Sequence, residues 1–277
     1  MSAGPIRIAI AGAAGRMGRC LVDLCREGPD LALTVALESR GSPELGRDAG
    51  CVAGGEAMGI LLVGWLEDLP DRFDILIDFT SPQATLEHLA FCRAAGRRMV
   101  IGTTGLAAED RAVVVEASAE CAVVMAPNMS VGVNLCLKLL EIAARALGDD
   151  YDVEIVEAHH RHKVDAPSGT ALRMGEVVAN ASGRDLADCA VYARHGMVGE
   201  RPAGAIGFAT LRAGDIVGEH RILFAGQGER IEIAHLATSR TVFARGALLA
   251  ARWVMDRGPG LYDMQDVLGL KDHKTGR

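Results

Sequence analysis

Short apolar runs alternate with helical patterns over the first half of the chain. Ile6–Ala11 is an apolar run bounded by Pro5 and Gly12, as expected for a buried parallel strand. Further strands are predicted at Leu31–Leu37, 75–79, 99–101 and Ala122–Met125, and helices at 17–26, 82–95 and 107–120. This alternation predicts an α/β fold with a doubly wound, Rossmann-like parallel sheet.

The pattern changes after residue 130. Residues 126–130 (Ala-Pro-Asn-Met-Ser) are punctuated like a hinge, and Val131–Leu147 has the spacing of a long amphipathic helix. Beyond it we predict strands at 152–158, 206–211, 216–224 and 230–236, with helices at 170–179 and 242–255. Three strands in succession indicate an antiparallel or mixed sheet, and therefore a second, α+β domain.

Composition and charge exclude some partners. Only 4% of the 277 residues are aromatic and the formal net charge is −7, which argues against a nucleic-acid partner because phosphates require cationic faces. No apolar run approaches the roughly 18 residues of a membrane-spanning helix, so no membrane partner is expected. The seven cysteines include no C-x-x-C pair and the N-terminus resembles no secretory signal. We therefore expect a soluble cytoplasmic protein with reduced thiols.

A glycine-rich turn directly follows the first predicted strand. Residues 12–18 read Gly-Ala-Ala-Gly-Arg-Met-Gly, and such a turn lets the backbone approach a pyrophosphate at a helix N-terminus. Ala14 stands where the common dinucleotide fingerprint has its second glycine. The alternative interpretation is a tight strand–helix turn without a ligand.

Glu38 supports the interpretation as a cofactor site. It closes the second predicted strand about 20 residues beyond the turn, where a carboxylate can accept hydrogen bonds from an adenosine ribose. A solvated charge at a strand end is the alternative. Arg40 and Arg16 could attract a ribose phosphate that the carboxylate repels, so the residues leave the choice between NAD and NADP open.

The most distinctive segment is 157–170, Glu-Ala-His-His-Arg-His-Lys-Val-Asp-Ala-Pro-Ser-Gly-Thr. A metal site is disfavoured because adjacent histidines in a strand-to-loop run cannot easily direct their rings at one ion, and we expect no metal. The remaining alternatives are a solvated loop and acid catalysis on an anion. Catalysis is favoured because Ser168-Gly169-Thr170 resembles a helix N-cap, where backbone N–H groups suit a carboxylate or phosphate.

Several motifs together resemble the 4-hydroxy-tetrahydrodipicolinate reductase (dihydrodipicolinate reductase) family. Besides segment 157–170, they are residues 12–18, 78–80 (Asp-Phe-Thr), 102–105 (Gly-Thr-Thr-Gly), 130–134 (Ser-Val-Gly-Val-Asn) and 212–220 (Arg-Ala-Gly-Asp-Ile-Val-Gly-Glu-His). The resemblance covers nearly the whole chain. It implies an NAD(P)H-dependent oxidoreductase of the diaminopimelate route to lysine, which reduces a cyclic imine dicarboxylate to tetrahydrodipicolinate.

The resemblance also implies residue roles. His159 matches the family's proton donor and Lys163 its second acid, and the substrate carboxylates would meet His160, Gly169 and Thr170. The cofactor would lie along Gly12, Ala13, Ala14, Gly15, Arg16, Met17, Glu38, Gly102, Thr103, Thr104, Ala126, Pro127, Asn128 and Met129, with Arg40 near a ribose phosphate. Arg161 and His162 receive no role.

Domain roles follow from the same resemblance. Residues 1–129 would form the dinucleotide-binding domain, completed by a C-terminal helix over 241–277. Residues 130–240 would form a substrate-binding and oligomerisation domain, and the protein would be a homotetramer.

One departure from the family pattern affects the cofactor. Well-known members carry arginine immediately after the acidic residue, whereas this chain has Ser39 there and Arg40 next. We therefore predict use of both NADH and NADPH. Two other hypotheses are a related two-domain dehydrogenase with another substrate and a non-catalytic dinucleotide sensor, although a sensor would not need both His159 and Lys163 beside an anion-binding turn.

Overall fold

The computed structural model describes residues 4–66 and 69–271. Its strands are β1 Ile6–Ala11, β2 Leu31–Leu37, β3 Leu62–Val63, β4 Ile75–Asp78, β5 Arg98–Ile101, β6 Ala122–Met125, β7 Asp152–His159, β8 Ala190–Val191, β9 Ile206–Arg212, β10 Gly218–Ala225, β11 Arg230–Ala237 and β12 Gly260–Tyr262. Its α-helices are α1 Arg16–Glu27, α2 Ala49–Ala53, α3 Pro82–Ala94, α4 Ala108–Ala117, α5 Val131–Leu147, α6 Gly169–Ala181, α7 Leu186–Cys189, α8 Thr241–Val254 and α9 Met264–Val267.

The chain divides into two compact units. One comprises residues up to Val131 together with those from Arg240 onward, and the other comprises Gly132–Ser239. Each unit contains one sheet, and the first unit packs a hydrophobic core on each face of its sheet.

The first unit contains a seven-stranded sheet in the order β12-β6-β5-β4-β1-β2-β3. Every pair of neighbouring strands is parallel. The strand order reverses between β1 and β4, which is the topological switch point where open α/β sheets bind ligands. The predicted doubly wound sheet is confirmed.

Alternating residues of β1 explain why helices cover both faces of this sheet. Ile8 and Ile10 join a core with α1 and α8. Ala9 and Ala11 point to the opposite face, where they join a core with α3 and α4. Because successive side chains of a strand point to opposite faces, a continuous apolar run supplies both layers.

The second unit contains a mixed five-stranded sheet in the order β11-β10-β7-β9-β8. Strand β10 is antiparallel to β11 and β7, whereas β9 is parallel to β7 and β8. The core of this unit packs α5 and α6 against the sheet through residues such as Leu140, Met174 and Ile222. The predicted mixed sheet is confirmed, with β7 at its centre.

The structure adds short elements that the sequence pattern did not indicate. Strands β3, β8 and β12 have two or three residues each, too few for a detectable period. The predicted helix at 242–255 corresponds to α8. The chain does not continue as one helix through the range 241–277, because β12 and α9 follow, and residues 272–277 lie outside the described part.

Within residues 4–66 and 69–271, no helix combines the length and apolar character needed to cross a membrane.

Gly18, in the first turn of α1, allows this helix to lie against the glycine-rich turn. A Cβ at Gly18 would lie 2.1 Å from the carbonyl oxygen of Gly12 and 2.6 Å from the Cα of Ala13, both backbone atoms that cannot move aside cheaply. Alanine is otherwise favoured over glycine in a helix. At this position the close contacts of a Cβ therefore work against the higher helix propensity of alanine.

We predict that Gly18→Ala lowers the free energy of unfolding by about 2 kcal/mol, because overpacking of this kind typically costs 1–3 kcal/mol. Urea-induced unfolding measures the change. Gly258→Ala is the control, since a Cβ there meets nothing within 4 Å. Equal stability of the two variants would show that α1 does not depend on this contact.

Candidate functional site

A cleft of about 860 Å³ opens in the first unit at the carboxyl end of the parallel sheet. Its size is typical of a small-molecule or cofactor site. Five predicted cofactor residues line it: Gly12, Ala14, Gly15, Glu38 and Arg40. Other lining residues include Ser39, Ser42, Trp65, Phe79, Thr80, Ser81, Ala84, His88 and Phe91.

The glycine-rich turn and Glu38 are directly connected. Gly12 has φ +70°, a conformation that L residues other than glycine rarely adopt. One oxygen of Glu38 accepts a hydrogen bond from the N–H of Ala14 at 3.0 Å, and the other accepts from the N–H of Ser39 at 2.9 Å. The acidic side chain is thereby held at the rim of the turn, where a ribose next to a bound pyrophosphate would lie.

The other predicted cofactor residues lie in the glycine-rich turn, at the start of α1 and after strands β5 and β6, and they are not among the residues that line the cleft. Ala13 is buried within the turn, whereas Arg16 is exposed and Met17 half-buried. Gly102 and Thr103 are buried directly after β5, and Thr104 is exposed. Residues Ala126, Pro127, Asn128 and Met129 follow β6, and among them only Pro127 is exposed.

A buried carboxylate at the end of β4 organises this edge of the sheet. Asp78 is fully buried and accepts hydrogen bonds from the backbone and hydroxyl of Thr80 at 2.9 and 2.6 Å. It also accepts from the hydroxyl of Thr103 at 3.1 Å and contacts Nδ1 of His88 at 2.7 Å. The motif at 78–80 indicated a ligand edge, but nothing in the sequence indicated the contact with His88 ten residues later.

These features fit a dinucleotide. The turn allows close backbone approach, Glu38 places a carboxylate at its rim, and the cleft carries apolar and aromatic walls from Leu37, Trp65 and Phe79. A strand–helix turn that binds no ligand does not require a carboxylate at its rim or an apolar cleft beside it. The interpretation of the turn as a cofactor site is therefore the better supported one.

In the second unit, the predicted catalytic histidine is held by a buried glutamate. Glu157 lies on β7 with a side chain that is 1% exposed, and its Oε2 lies 2.5 Å from Nδ1 of His159. Arg212, on the neighbouring strand β9, donates to both carboxylate oxygens at 2.8 Å. This bidentate pair compensates the buried charge.

The environment shifts the pKa values of Glu157 and His159. Burial alone would raise the pKa of Glu157, but the hydrogen bonds and charges of Arg212 and His159 outweigh it and the pKa lies below its usual value. Burial also lowers the pKa of His159, and the opposing effect of Glu157 does not cancel it. The charges of Lys163 and Arg212 lower it further.

The start of α6 is joined to the same carboxylate. Ser168 is the N-cap, with its Oγ accepting from the N–H of Ala171 at 3.1 Å, which confirms the predicted cap. Its own N–H donates to Oε1 of Glu157 at 3.1 Å. Gly169 and Thr170 then form the first residues of α6, where a helix N-terminus attracts anions.

His220 completes this cluster. Its Nε2 lies 3.0 Å from Oγ of Ser168, and its ring contacts that of His159 edge-on at 5.2 Å between centroids. Burial, followed by the charge of His159, lowers the pKa of His220 to about 4. His220 is therefore neutral near neutral pH and can accept the hydroxyl hydrogen of Ser168.

The remaining residues of segment 157–170 surround this centre. Lys163 pairs with the carboxylate of Asp165 at 2.7 Å, and that hydrogen bond lowers the pKa of Asp165. The ring of His160 lies 6.3 Å from that of His162 between centroids. Arg161 and His162 are exposed. Within the described part of the chain, no three His, Cys, Asp or Glu side chains group as metal ligands.

Sequence reasoning gave no role to Glu157, Arg212 or His220. A signal for Glu157 was available, because the period-two pattern of β7 places it in phase with the buried Val153 and Ile155. A carboxylate in an apolar phase needs a partner. The identity of that partner depends on strand pairing, which the local pattern does not specify.

Comparisons with known proteins identify the family of both units. Residues 6–129 match the family model described as dihydrodipicolinate reductase, N-terminus, and residues 132–268 match dihydrodipicolinate reductase, C-terminus.

Curated relatives match along nearly the entire chain. A protein of Methylococcus capsulatus named 4-hydroxy-tetrahydrodipicolinate reductase is 61% identical over 266 residues, covering 96% of this chain and 99% of that protein. A protein of Hahella chejuensis with the same name is 58% identical over 265 residues, with the same two coverages.

A solved structure shares the fold. The dipicolinate-bound dihydrodipicolinate reductase from Paenisporosarcina sp. TG-14 superposes with a TM-score of 0.73 at 26% identity, covering 95% of this chain and 98% of that one. A probable dehydrogenase from Thermotoga maritima, 14% identical, has a TM-score of 0.60 and covers 95% and 92%, which indicates a shared fold only. The family models and the relatives show that this chain belongs to the dihydrodipicolinate reductase family, a family of oxidoreductases of lysine biosynthesis.

Proposed function

We propose that this protein reduces 4-hydroxy-tetrahydrodipicolinate to tetrahydrodipicolinate with a pyridine nucleotide, and that His159 donates the proton. The observation that carries the proposal is the arrangement around Glu157. One carboxylate holds the ring of His159 and the N-cap of α6, so a proton donor and an anion-binding helix start belong to one cluster. A cyclic imine dicarboxylate needs both.

The chain's residues can hold the cofactor in the cleft of the first unit. Gly12, Ala14 and Gly15 would receive the pyrophosphate, and Glu38 would accept from the adenosine ribose. When bound, the reduced nicotinamide supplies a hydride.

His159 supplies the proton that the reduced ring needs. Loss of the 4-hydroxyl group as water turns the substrate into a conjugated imine. Hydride addition at the carbon that carried the hydroxyl then leaves an electron-rich enamine, which takes up a proton at the neighbouring ring carbon. Because Nδ1 of His159 faces Glu157, Nε2 is the nitrogen left to face a substrate. Lys163 is the proposed second acid. Its ammonium group donates a hydrogen bond to Asp165, which keeps the Lys163 side chain within the loop.

The substrate carboxylates would bind at the start of α6. Gly169 and Thr170 offer backbone N–H groups at the positive end of the helix dipole, and His160 would add a side-chain donor. The pairing of Glu157 with Arg212 is already satisfied, so a carboxylate there would meet little repulsion from Glu157.

The domain roles extend this proposal. Residues 1–129, with the segment from 241, would bind the dinucleotide, and residues 130–240 would bind the substrate and form the oligomer. A cytoplasmic location fits an enzyme of amino-acid biosynthesis.

We predict that His159→Gln lowers kcat at least about a hundredfold while KM changes less than threefold, because proton donation acts in the transition state. The assay follows NADH or NADPH oxidation with freshly generated hydroxy-tetrahydrodipicolinate. His162→Gln, in the exposed part of the same segment, is the control and retains kcat. A His159→Gln variant with wild-type kcat would remove His159 from the proposed role, and a folded wild type without turnover would refute the reductase.

We predict that kcat/KM values for NADH and NADPH differ by less than about a hundredfold, or ~2.7 kcal/mol, because Ser39 replaces the family's arginine. Ser39 is exposed and lines the cleft. Ser39→Arg is expected to shift the ratio at least tenfold toward NADPH through a charge-assisted phosphate contact. Ser39→Gln introduces a side chain that approaches arginine in length but is neutral, and it is expected to leave the ratio within threefold of wild type. A wild-type preference for NADPH beyond a hundredfold contradicts dual use.

We predict a homotetramer, assembled through the second domain. Leu211, Ile231 and Leu236 on its sheet are 52%, 39% and 48% exposed in the single chain, and an interface would cover such residues. Light scattering of the full chain should then give about four times the 29.2 kDa chain mass. A monomeric mass at micromolar concentration would count against the assembly.

A further inference from the structure

We propose that Glu157 is a positioning residue that fixes which nitrogen of His159 delivers the proton and, through the same carboxylate, sets the turn that receives the substrate. This inference rests on the proposed role of His159. It assigns Glu157 and its partner Arg212 a part in the reaction that neither the motif spacing nor the family comparison gives them.

The hydrogen bonds at Glu157 define the orientation of the His159 ring. An ionised carboxylate only accepts hydrogen bonds, so Nδ1 of His159 must carry a hydrogen to donate across the 2.5 Å contact with Oε2. In the neutral ring Nε2 then has the lone pair, and in the protonated ring Nε2–H is the proton available for transfer. A third group that orients a histidine in this way is a recurrent feature of acid–base catalysis.

The surroundings of the ring leave few other orientations. A Cβ at Gly218, the first residue of β10, would lie 3.1 Å from Nε2 of His159, so the ring passes over a residue without a side chain. Strand β9 presents Arg212 in register with His159, and His220 of β10 packs edge-on against the ring. The ring is thus bounded on both neighbouring strands.

The other oxygen of Glu157 holds Ser168 and the start of α6, where the substrate carboxylate would bind. Oε1 accepts from the N–H of Ser168 at 3.1 Å and from the hydroxyl of Thr210 at 3.3 Å. Arg212 contacts both oxygens and also donates to the carbonyl of Asp165 at 2.7 Å. The loop carrying Lys163 and the start of α6 are therefore tied to the same carboxylate that holds His159.

The charges that face His159 come from three places. Glu157 stabilises the imidazolium, whereas Arg212 from β9 and Lys163 from the following loop destabilise it. His220 from β10 is neutral near neutral pH, and Asp165 is paired with Lys163. Removing Glu157 or Arg212 thus changes the stability of the imidazolium in opposite directions.

Glu157→Gln tests the assignment first. The amide keeps an oxygen that can accept from Ser168 but loses the charge, and its NH₂ group would donate to Nδ1. The expected result is a loss of kcat of at least about tenfold, with the high-pH limb of the kcat profile moved to lower pH because the imidazolium is destabilised. Because the amide oxygen can still accept from the N–H of Ser168 and so keep the start of α6 in place, the dissociation constant for pyridine-2,6-dicarboxylate is expected to change less than threefold.

Arg212→Met is expected to shift the pH profile of kcat in the opposite direction. Without this cation the imidazolium of His159 is more stable, so the high-pH limb is expected to move to higher pH. A merely structural role predicts the same kind of damage in both variants, whereas a positioning role predicts shifts in opposite directions.

Glu154→Gln is the matched control. Glu154 lies on the same strand and is likewise paired with arginine, here Arg194 and Arg201, but makes no hydrogen bond to His159. This variant is expected to retain kcat and its pH profile. Glu157→Asp keeps the charge on a shorter side chain and is expected to restore the position of the high-pH limb in part.

The outcomes separate this inference from the proposed function. If His159→Gln loses kcat while Glu157→Gln behaves like Glu154→Gln, the role of Glu157 is overturned and that of His159 stands. If His159→Gln retains kcat, the proton-donor role itself fails. Should Glu157→Gln show no cooperative unfolding, Arg212→Met and Glu157→Asp decide, and a limb that is unmoved or moved to lower pH in Arg212→Met overturns the assignment.

Discussion

The buried carboxylate of Glu157 is the constraint on which the second unit's site depends. A charge that is 1% exposed must be compensated by hydrogen bonds and an opposite charge. The bidentate contact with Arg212 provides the charge, and His159 and Ser168 supply further donors. Each of these donors belongs to a different functional part: a neighbouring strand, the proposed acid, and the start of α6. Satisfying one buried group therefore assembles the three parts together.

The same device recurs in the first unit. Asp78, at the end of β4, organises the backbone of Thr80, the hydroxyl of Thr103 and the ring of His88. Glu38, directly after β2, accepts from the N–H of Ala14. In each case a carboxylate at or near the carboxyl end of a strand fixes loop backbone at the edge where ligands bind. Rigid strand ends thereby position loops whose own sequences would allow many conformations.

The sequence predicted those parts of the fold whose information is local. The long apolar runs and amphipathic helices gave the parallel sheet, and Ile6–Ala11 and Leu31–Leu37 match the observed bounds. Strands β3 and β12 were missed because they are strands only through pairing with a neighbour, β2 and β6 respectively.

The candidate sites divide in the same way. The glycine turn, Glu38 and the Ser168 cap follow from residue type and spacing along the chain. The contacts of Asp78 with His88 and of Glu157 with Arg212 depend on tertiary structure, and the latter spans 55 residues of sequence. The proposed roles of His159 and Lys163 follow from the family resemblance, and activity measurements test them.

The most direct measurement of the central claim is the tautomeric state of His159 in the folded, full-length protein. Long-range ¹H–¹⁵N correlation spectra of the imidazole rings, with His159 assigned by comparison with His159→Gln, distinguish a neutral ring protonated on Nδ1 from one protonated on Nε2. The expected result is the Nδ1–H tautomer in the wild type and in Glu154→Gln, and its loss in Glu157→Gln. An Nε2–H tautomer in the wild type, or the same tautomer in all three proteins, would contradict the claim that Glu157 sets the working nitrogen of His159.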